Sequence, residues 1–158
     1  MRRIITLFVV LAFAPLYAVA ADKPTADEAK KVLDYYYSGK GLGPVLVVTK
    51  VCRDIQREGD EKNECSGEIT GETLKKAEPV YLWMAYMVPA GDEPQNIIVQ
   101  YENGGVTRSV KNLQATGSLR YRTWLKHSFD KAGAWTVKVI HDKGDGSEVL
   151  GTLDLKVE

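Results

Sequence analysis

Apolar and polar residues alternate with a period of two along most of the chain after Gly43, and turn residues interrupt this pattern at short intervals. Such alternation is typical of β-strands. It predicts seven strands, centred on the segments PVLVVTKVC, EPVYLWMAYMVP, NIIVQYEN, GVTRSVKNL, SLRYRTWLKHSF, AWTVKVIHD and VLGTLDLKVE. The third and fourth form a predicted hairpin, because Asn103, Gly104 and Gly105 tolerate positive φ between them. The segment GEITGETLKKAE is compatible with a further short strand.

A different period, near 3.6 residues, precedes the strands in the segment TADEAKKVLDYYYSGKGLG. Its apolar residues share one face of a predicted helix: Ala26, Ala29, Val32, Leu33 and Tyr36. Thr25 followed three residues later by Glu28 predicts a capping box, and Gly39 suits the C-terminal end. We therefore assign residues 21–42 to an N-terminal helix and residues 43–158 to a strand domain.

The first twenty residues have the pattern of a signal peptide. Arg2 and Arg3 precede an apolar run from Ile4 to Pro15, and Ala18-Val19-Ala20 has the small-x-small form of a cleavage site. We expect cleavage after Ala20 and a periplasmic or secreted protein, with no membrane span remaining. Loss of the two arginines changes the formal charge from zero to −2, which gives no electrostatic reason to expect nucleic-acid binding.

The chain has two cysteines, Cys52 and Cys65, and both follow the predicted cleavage site. In an oxidising compartment such a pair is expected to form a disulfide. A redox-active or metal-binding pair is the alternative, but the intervening segment RDIQREGDEKNE is polar and no C-x-x-C spacing occurs. We predict a structural disulfide that closes this segment into a loop.

About seven short strands in an exported chain predict an all-β fold, an immunoglobulin-like antiparallel β-sandwich with an added N-terminal helix. A small closed barrel is the main alternative. From about Pro79 to Glu158, the segments VYLWMAYMVP, IIVQYENGGV, LRYRTWLKHSF and GAWTVKVIHDKGDGSEVLGTLDLKV resemble a bacterial envelope domain family of unknown function. The resemblance implies an immunoglobulin-like sandwich and no particular activity. It gives no role to Gln100-Tyr101, where the family often has a histidine.

Aromatic residues are the main candidates for a binding surface. Alternation places Tyr81, Trp83, Ala85 and Met87 on one side of the second strand, and the other side is also apolar. One side faces the core, and the second requires cover from the helix, a loop or a partner. We favour the helix as this cover, and a binding face as the alternative. The candidate binding residues are Tyr35, Tyr37, Tyr81, Trp83, Tyr121 and Trp124.

The segment HDKGDGSEV near the C-terminus raises the question of a metal site at Asp142, Asp145 and Glu148. Calcium loops place oxygen ligands on alternate residues, whereas these acids are three residues apart and Lys143 lies between the first two. Asp145-Gly146 instead favours a turn. We therefore predict a hairpin tip and no metal site.

The histidines, His127 and His141, are interpreted as ordinary surface or edge residues. If the strands at 118–129 and 134–142 form a hairpin, the two rings lie too far apart to share an ion. No nucleophile elbow or phosphate-binding loop is evident in the sequence.

The sequence thus favours a non-catalytic, exported binding module that recognises another envelope protein, without a cofactor. A glycan-binding domain is one alternative. A small hydrolase that assembles a carboxylate pair in space is another, because such a pair can come from any of the acidic residues.

Overall fold

The computed structural model describes residues 24–91 and 93–158, so the predicted signal peptide lies outside the described residues. Within those two ranges, no helix is long and apolar enough to cross a membrane. One helix precedes the strands of the described chain. The elements in chain order are α1 (Ala26–Tyr37), β1 (Val45–Ile55), β2 (Cys65–Glu68), β3 (Pro79–Val88), β4 (Gln95–Asn103), β5 (Val106–Ala115), β6 (Ser118–Ser128), β7 (Gly133–Asp142) and β8 (Ser147–Val157).

Helix α1 begins at the predicted capping box. The backbone N–H of Glu28 donates to Thr25 Oγ1 at 3.2 Å, and the backbone N–H of Thr25 donates to Glu28 Oε2 at 2.8 Å. These two bonds satisfy backbone donors that the first turn of a helix leaves unpaired. The helix ends at Tyr37, and Gly39 follows with a φ of +76°. The predicted capping box and the glycine after the helix are both present, and the helix itself is shorter than the segment 21–42 to which it was assigned.

The strands form two antiparallel sheets of four, which pack face to face as an immunoglobulin-like β-sandwich. Sheet A has the order β2-β1-β3-β6, and sheet B has the order β5-β4-β7-β8. The described chain thus has one strand more than the seven that the alternation indicated. The additional strand is β2, which lies in the segment where a short strand was considered, and it pairs only with Cys52–Ile55 at the end of β1.

The β4–β5 turn has the conformation that its glycines predicted. Gly104 and Gly105 have φ values of +58° and +78°, so both residues of the two-residue loop lie in the left-handed region. Turns of this type match the twist of the two strands that they join. The predicted hairpin through Asn103 is therefore confirmed.

The segment between β6 and β7 is not a hairpin. The large distance predicted between the rings of His127 and His141 assumed a hairpin at this place, so that assumption is wrong. Strand β6 pairs with β3 in sheet A, whereas β7 pairs with β4 and β8 in sheet B. The four residues 129–132 thus carry the chain from one sheet to the other. A short polar connection does not itself distinguish a hairpin from such a crossing.

The main core lies between the two sheets. Strand β3 contributes Leu82, Met84 and Tyr86 from sheet A, and the opposite sheet contributes its inward side chains. Trp135 and Val137 of the G-x-W-x-V segment are buried there, and Gly133 has a φ of +120° that favours glycine. The side chains that face sheet A from sheet B include Ile97, Val99, Tyr101, Trp135, Val137 and Val139.

Candidate binding surface on the outer face of sheet A

A second apolar cluster occupies the outer face of sheet A. Strand pairing places Trp83 opposite Lys50 of β1 and Trp124 of β6, and it places Tyr81 opposite Cys52 and Lys126. Directly paired residues share a face of a sheet. The aromatic side of β3 that the alternation predicted therefore continues onto β6.

Helix α1 covers one end of this outer face. Val32, Tyr35 and Tyr36 pack against the cluster that contains Val47 and Ala85. At the N-terminal end of the helix, Glu28 Oε1 lies 3.3 Å from Arg120 Nη2 of β6, and the Glu28 side chain is almost fully buried. The helix thus supplies the cover that the sequence analysis favoured, and a charged contact holds it on the sheet.

The disulfide loop covers the middle of the same face; a loop was among the covers that the sequence allowed, although the helix was favoured. Cys52 and Cys65 form the predicted disulfide. The indole N–H of Trp83 donates to the carbonyl oxygen of Asn63 at 2.7 Å. Glu64 Oε1 lies 3.2 Å from Arg120 Nη1 and 2.8 Å from Arg122 Nη1. Because of this cover, Trp83 is only 1% exposed and cannot belong to an exposed binding face.

Two aromatic rings at the far end of the face stay partly exposed, and a guanidinium group lies over both. The Arg57 carbon Cζ is 5.3 Å from the ring centroid of Trp124 and 5.8 Å from that of Tyr81. The ammonium group of Lys126 is 6.0 Å from the Tyr81 ring. We call Arg57, Tyr81, Trp124 and Lys126 the aromatic surface. Within the described residues, no carboxylate forms a salt bridge with either of its cations.

The six predicted binding residues do not form one surface. Tyr81 and Trp124 lie together, while Trp83 lies beneath the disulfide loop. Tyr121 belongs to the opposite face of β6: it pairs with Tyr86, packs against the core between the sheets and donates its hydroxyl to the Gln114 carbonyl at 3.0 Å. Three positions separate Tyr121 from Trp124, and an odd separation in a strand places two side chains on opposite faces.

The tyrosines of the helix lie apart from the aromatic surface. Tyr37 is 88% exposed. Tyr35 is half-buried and donates its hydroxyl to Glu148 Oε2 at 3.1 Å. Burial, together with this bond to a carboxylate, raises the pKa of Tyr35 to about 12. Tyr35 thus joins the helix to sheet B.

The aromatic surface also contains two residues that the sequence did not indicate, Arg57 and Lys126.

The acidic segment at the C-terminus is a hairpin tip, as predicted. The backbone N–H of Lys143 donates to the Gly146 carbonyl, although Gly144, rather than Gly146, has the positive φ, at +80°. Glu148 lies 2.9 Å from Lys143 Nζ and 3.4 Å from Lys40 Nζ. Burial opposes ionisation of Glu148, but the hydrogen bonds from Lys143 and Tyr35 outweigh it and lower the pKa of Glu148. Within residues 24–91 and 93–158, no cluster of three or more metal-ligating side chains occurs.

The interpretation of both histidines as ordinary surface or edge residues is wrong. His127 points between the sheets, where its ring stacks on Tyr101 with centroids 3.8 Å apart and an interplanar angle of 15°. Burial and the nearby Lys111 lower the pKa of His127 to about 4. His141 is 5% exposed, and its Nε2 lies 3.0 Å from Gln95 Oε1. Burial also lowers the pKa of His141.

Comparisons with known proteins support the fold of the chain and assign it to no family. No family model matches the chain, and no curated protein matches its sequence. The resemblance to the envelope domain family thus remains a prediction. A search of solved structures finds a similar chain, described as the C-terminal domain of Wzt, with a TM-score of 0.51 and 7% sequence identity over 75% of each chain. At this identity the likeness shows that the chain shares a β-sandwich fold with that domain.

Proposed function

We propose that the mature chain is an exported binding module of the bacterial envelope, periplasmic or secreted, which recognises another envelope protein through the aromatic surface. The observation that carries this proposal is the stack of Arg57 across Tyr81 and Trp124. Tyrosine, tryptophan and arginine are the residue types most enriched at the energetic centres of protein interfaces. The disulfide supports export, because disulfides persist in oxidising compartments.

The charge of the aromatic surface indicates the chemistry of its partner. Arg57 and Lys126 place two cations beside the rings. A carboxylate of a partner protein that approaches the stack would bind the guanidinium group from its open side, while apolar groups of the partner would cover the exposed part of Trp124. We therefore assign an acidic protein surface as the partner of this site.

The test is affinity capture from the envelope extract of the source organism with four baits: the mature chain, Trp124→Ala, Arg57→Ala and Leu119→Ala. Leu119 is 68% exposed on the same strand as Trp124 and serves as the matched control. We expect one stoichiometric protein with the mature chain and Leu119→Ala, and loss of that protein with the other two. Titration calorimetry with the purified partner then measures the loss, which we expect to be about tenfold or more for each variant.

Three outcomes would overturn the proposal. Equal capture by all four baits would move the site away from the aromatic surface. Capture that persists with Arg57→Ala, and with a partner whose acidic residues have been substituted, would show that the partner does not bind through an acidic surface. Binding of the same baits to envelope glycans, with no protein captured, would replace the protein partner with a sugar that stacks on Trp124.

A further inference from the structure

A groove at the β1 edge of sheet A has the hydrogen-bonding pattern of an unoccupied strand position. The groove is a surface depression of about 630 Å³ between α1, β1 and β8. It is lined by consecutive residues of both strands, 45–49 of β1 and 150–153 of β8, together with residues of the helix such as Lys31 and Tyr35. Because successive side chains of a strand point to opposite faces, a run of consecutive residues faces a groove through the strand edge.

The backbone edge of β1 is unpaired along this groove, although the Leu46 side chain packs against Gly151 of β8. Strand β2 pairs with β1 only at residues 52–55, whereas β3 pairs with β1 along its other edge from Val45 to Cys52. The carbonyl of Val51 accepts the backbone N–H of Ile69 on the β2 side. Backbone groups of alternate residues point to the same edge, so the N–H and C=O of Thr49 also face the groove. No described strand pairs with this stretch of the edge.

Lys31 occupies the edge in the place of a strand. Its ammonium group donates to the Val47 carbonyl at 2.6 Å, and no described carboxylate forms a salt bridge with it. A lysine over a strand edge protects it from uncontrolled pairing. The same lysine can release the carbonyl when a carboxylate offers a better partner, because hydrogen bonds between two ionised groups are stronger than those to a neutral carbonyl.

The structure leads us to propose that β1 is the acceptor strand for an extended, acidic segment of another polypeptide, which adds to sheet A beside Val45–Thr49. The incoming backbone pairs with Thr49 and with the Val47 carbonyl, and an incoming glutamate or aspartate takes over the ammonium group of Lys31. Recognition of this kind draws affinity from main-chain hydrogen bonds and selectivity from alternate side chains. Five residues of extended chain span about 16 Å, so a short segment fills the site.

The groove gives the two faces of the segment different surroundings. On one side lie Lys31 of the helix and Lys40, which follows the helix and whose ammonium group pairs with Glu148 at 3.4 Å. On the other side lie Leu150 and Leu153 of β8, both of which pack partly against the core between the sheets. A segment that alternates acidic and apolar residues places its carboxylates toward the helix and its apolar side chains toward β8. This site is separate from the aromatic surface and stands independently of the function proposed for it.

The probe is a seven-residue peptide of alternating glutamate and valine with blocked ends, titrated into the mature protein. Its matched control is the same peptide with methyl groups on the amides that would face β1. We expect the first peptide to bind at concentrations below about 1 mM and the methylated peptide to bind at least about tenfold more weakly. Amide hydrogen exchange followed by NMR should show new protection at Thr49, while Val48 and Lys50, which already pair with β3, stay unchanged.

Two helix variants test the role of the lysine. Lys31→Glu should weaken binding of the unmethylated peptide about fivefold to tenfold, since it replaces attraction by repulsion. Lys30→Glu is the control, because Lys30 is the next residue and its ammonium group pairs with Asp34 on the exposed side of the helix. Trp124→Ala should leave peptide binding unchanged, which separates this site from the aromatic surface.

Four results would overturn the proposal: no binding of the unmethylated peptide, equal binding of the methylated one, protection at residues 150–153 in place of Thr49, or equal effects of the two lysine variants. Sedimentation of the protein alone tests whether a second copy of the chain occupies the β1 edge. Concentration-dependent dimers that protect Thr49 without peptide would show that a second copy of the chain fills the edge.

Discussion

The outer faces of the two sheets differ in whether their side chains must be covered from solvent. The outer face of sheet A buries an apolar cluster that includes Trp83 and Ala85, and both the helix and the disulfide loop are needed to cover it. The outer face of sheet B alternates polar and apolar residues such as Gln100, Lys138 and Ile140, and the helix of the described chain packs on sheet A instead. The difference shows that a strand with two apolar sides commits a small domain to additional structure outside its sandwich.

The largest expected effect comes from the residue that both covering elements surround. Trp83→Ala should lower the free energy of unfolding by about 3–5 kcal/mol, since it removes a large buried side chain and leaves a cavity beneath the loop. Denaturant unfolding followed by circular dichroism measures the loss. Val110→Ala, at a half-exposed position on the outer face of sheet B, should change the same quantity by no more than about 0.5 kcal/mol. Similar losses for both variants would contradict the contrast between the faces.

Removal of the disulfide should have the next largest effect. Cys52→Ala combined with Cys65→Ala should destabilise the domain by about 3 kcal/mol, because the bond closes a loop with a sequence separation of 13 residues. The indole of Trp83 should also become more accessible to a fluorescence quencher, because its bond to Asn63 depends on the position of that loop. A destabilised variant with unchanged quenching would show that the loop stays in place without the bond.

Loss of Glu28 tests the attachment of the helix. Glu28→Ala removes both the capping box and the contact with Arg120, and we expect it to lower the free energy of unfolding by about 1–2 kcal/mol. Asp34→Ala is the control, because its pair with Lys30 is exposed to solvent. Amide exchange should accelerate throughout α1 in the first variant and remain close to that of the parent in the second. Equal exchange in the two variants would place the attachment elsewhere.

A histidine between the two sheets should give a pH-dependent loss of stability that is similar in size to the effect of Glu28→Ala. Because the folded-state pKa of His127 is lowered to about 4, the unfolded chain takes up a proton first as the pH falls below about 6.5. The free energy of unfolding should therefore decrease as the pH falls from about 6.5 to about 4. Below about pH 4, His127 should cause no further decrease. The half-buried ring is partly screened, so the expected loss is about 1–2 kcal/mol.

The control for this titration is His127→Leu, which keeps an apolar side chain between the sheets and removes the titrating group. The pH dependence should become smaller without disappearing, since burial also lowers the pKa of His141. Unfolding midpoints followed by Trp fluorescence and by circular dichroism should shift together with pH. An unchanged pH profile in the variant would show that His127 does not control acid stability.

The sequence predicted elements far better than it predicted their neighbours. Period-two alternation separated the two sides of β3 correctly, and the capping box located the start of the helix. The sequence did not indicate that the loop after Cys52 would lie on Trp83. The position of this loop depends on contacts with residues that are distant in the sequence, Arg120 and Arg122. Long-range ion pairs leave no local pattern.

Two errors have similarly physical reasons. Tyr121 and Trp124 were grouped as neighbours although strand geometry alone separates them. The burial of His127 follows from β6 crossing to sheet A while β7 lies in sheet B, so that Tyr101 meets its ring. Arg57 was not recognised as part of the aromatic surface, because an arginine in a polar loop has no periodicity that relates it to a strand.

The path of the chain between the sheets has a consequence for how the domain folds. Sheet A receives its last strand, β6, only after two strands of sheet B have been made, and sheet B is then completed by β7 and β8. Neither sheet is therefore a continuous stretch of sequence, and any chain that ends before residue 118 lacks one strand of sheet A and two strands of sheet B. Topologies dominated by such distant pairings fold in about milliseconds to seconds, far more slowly than helical bundles. A growing chain of this protein should stay unfolded until nearly all of it is available.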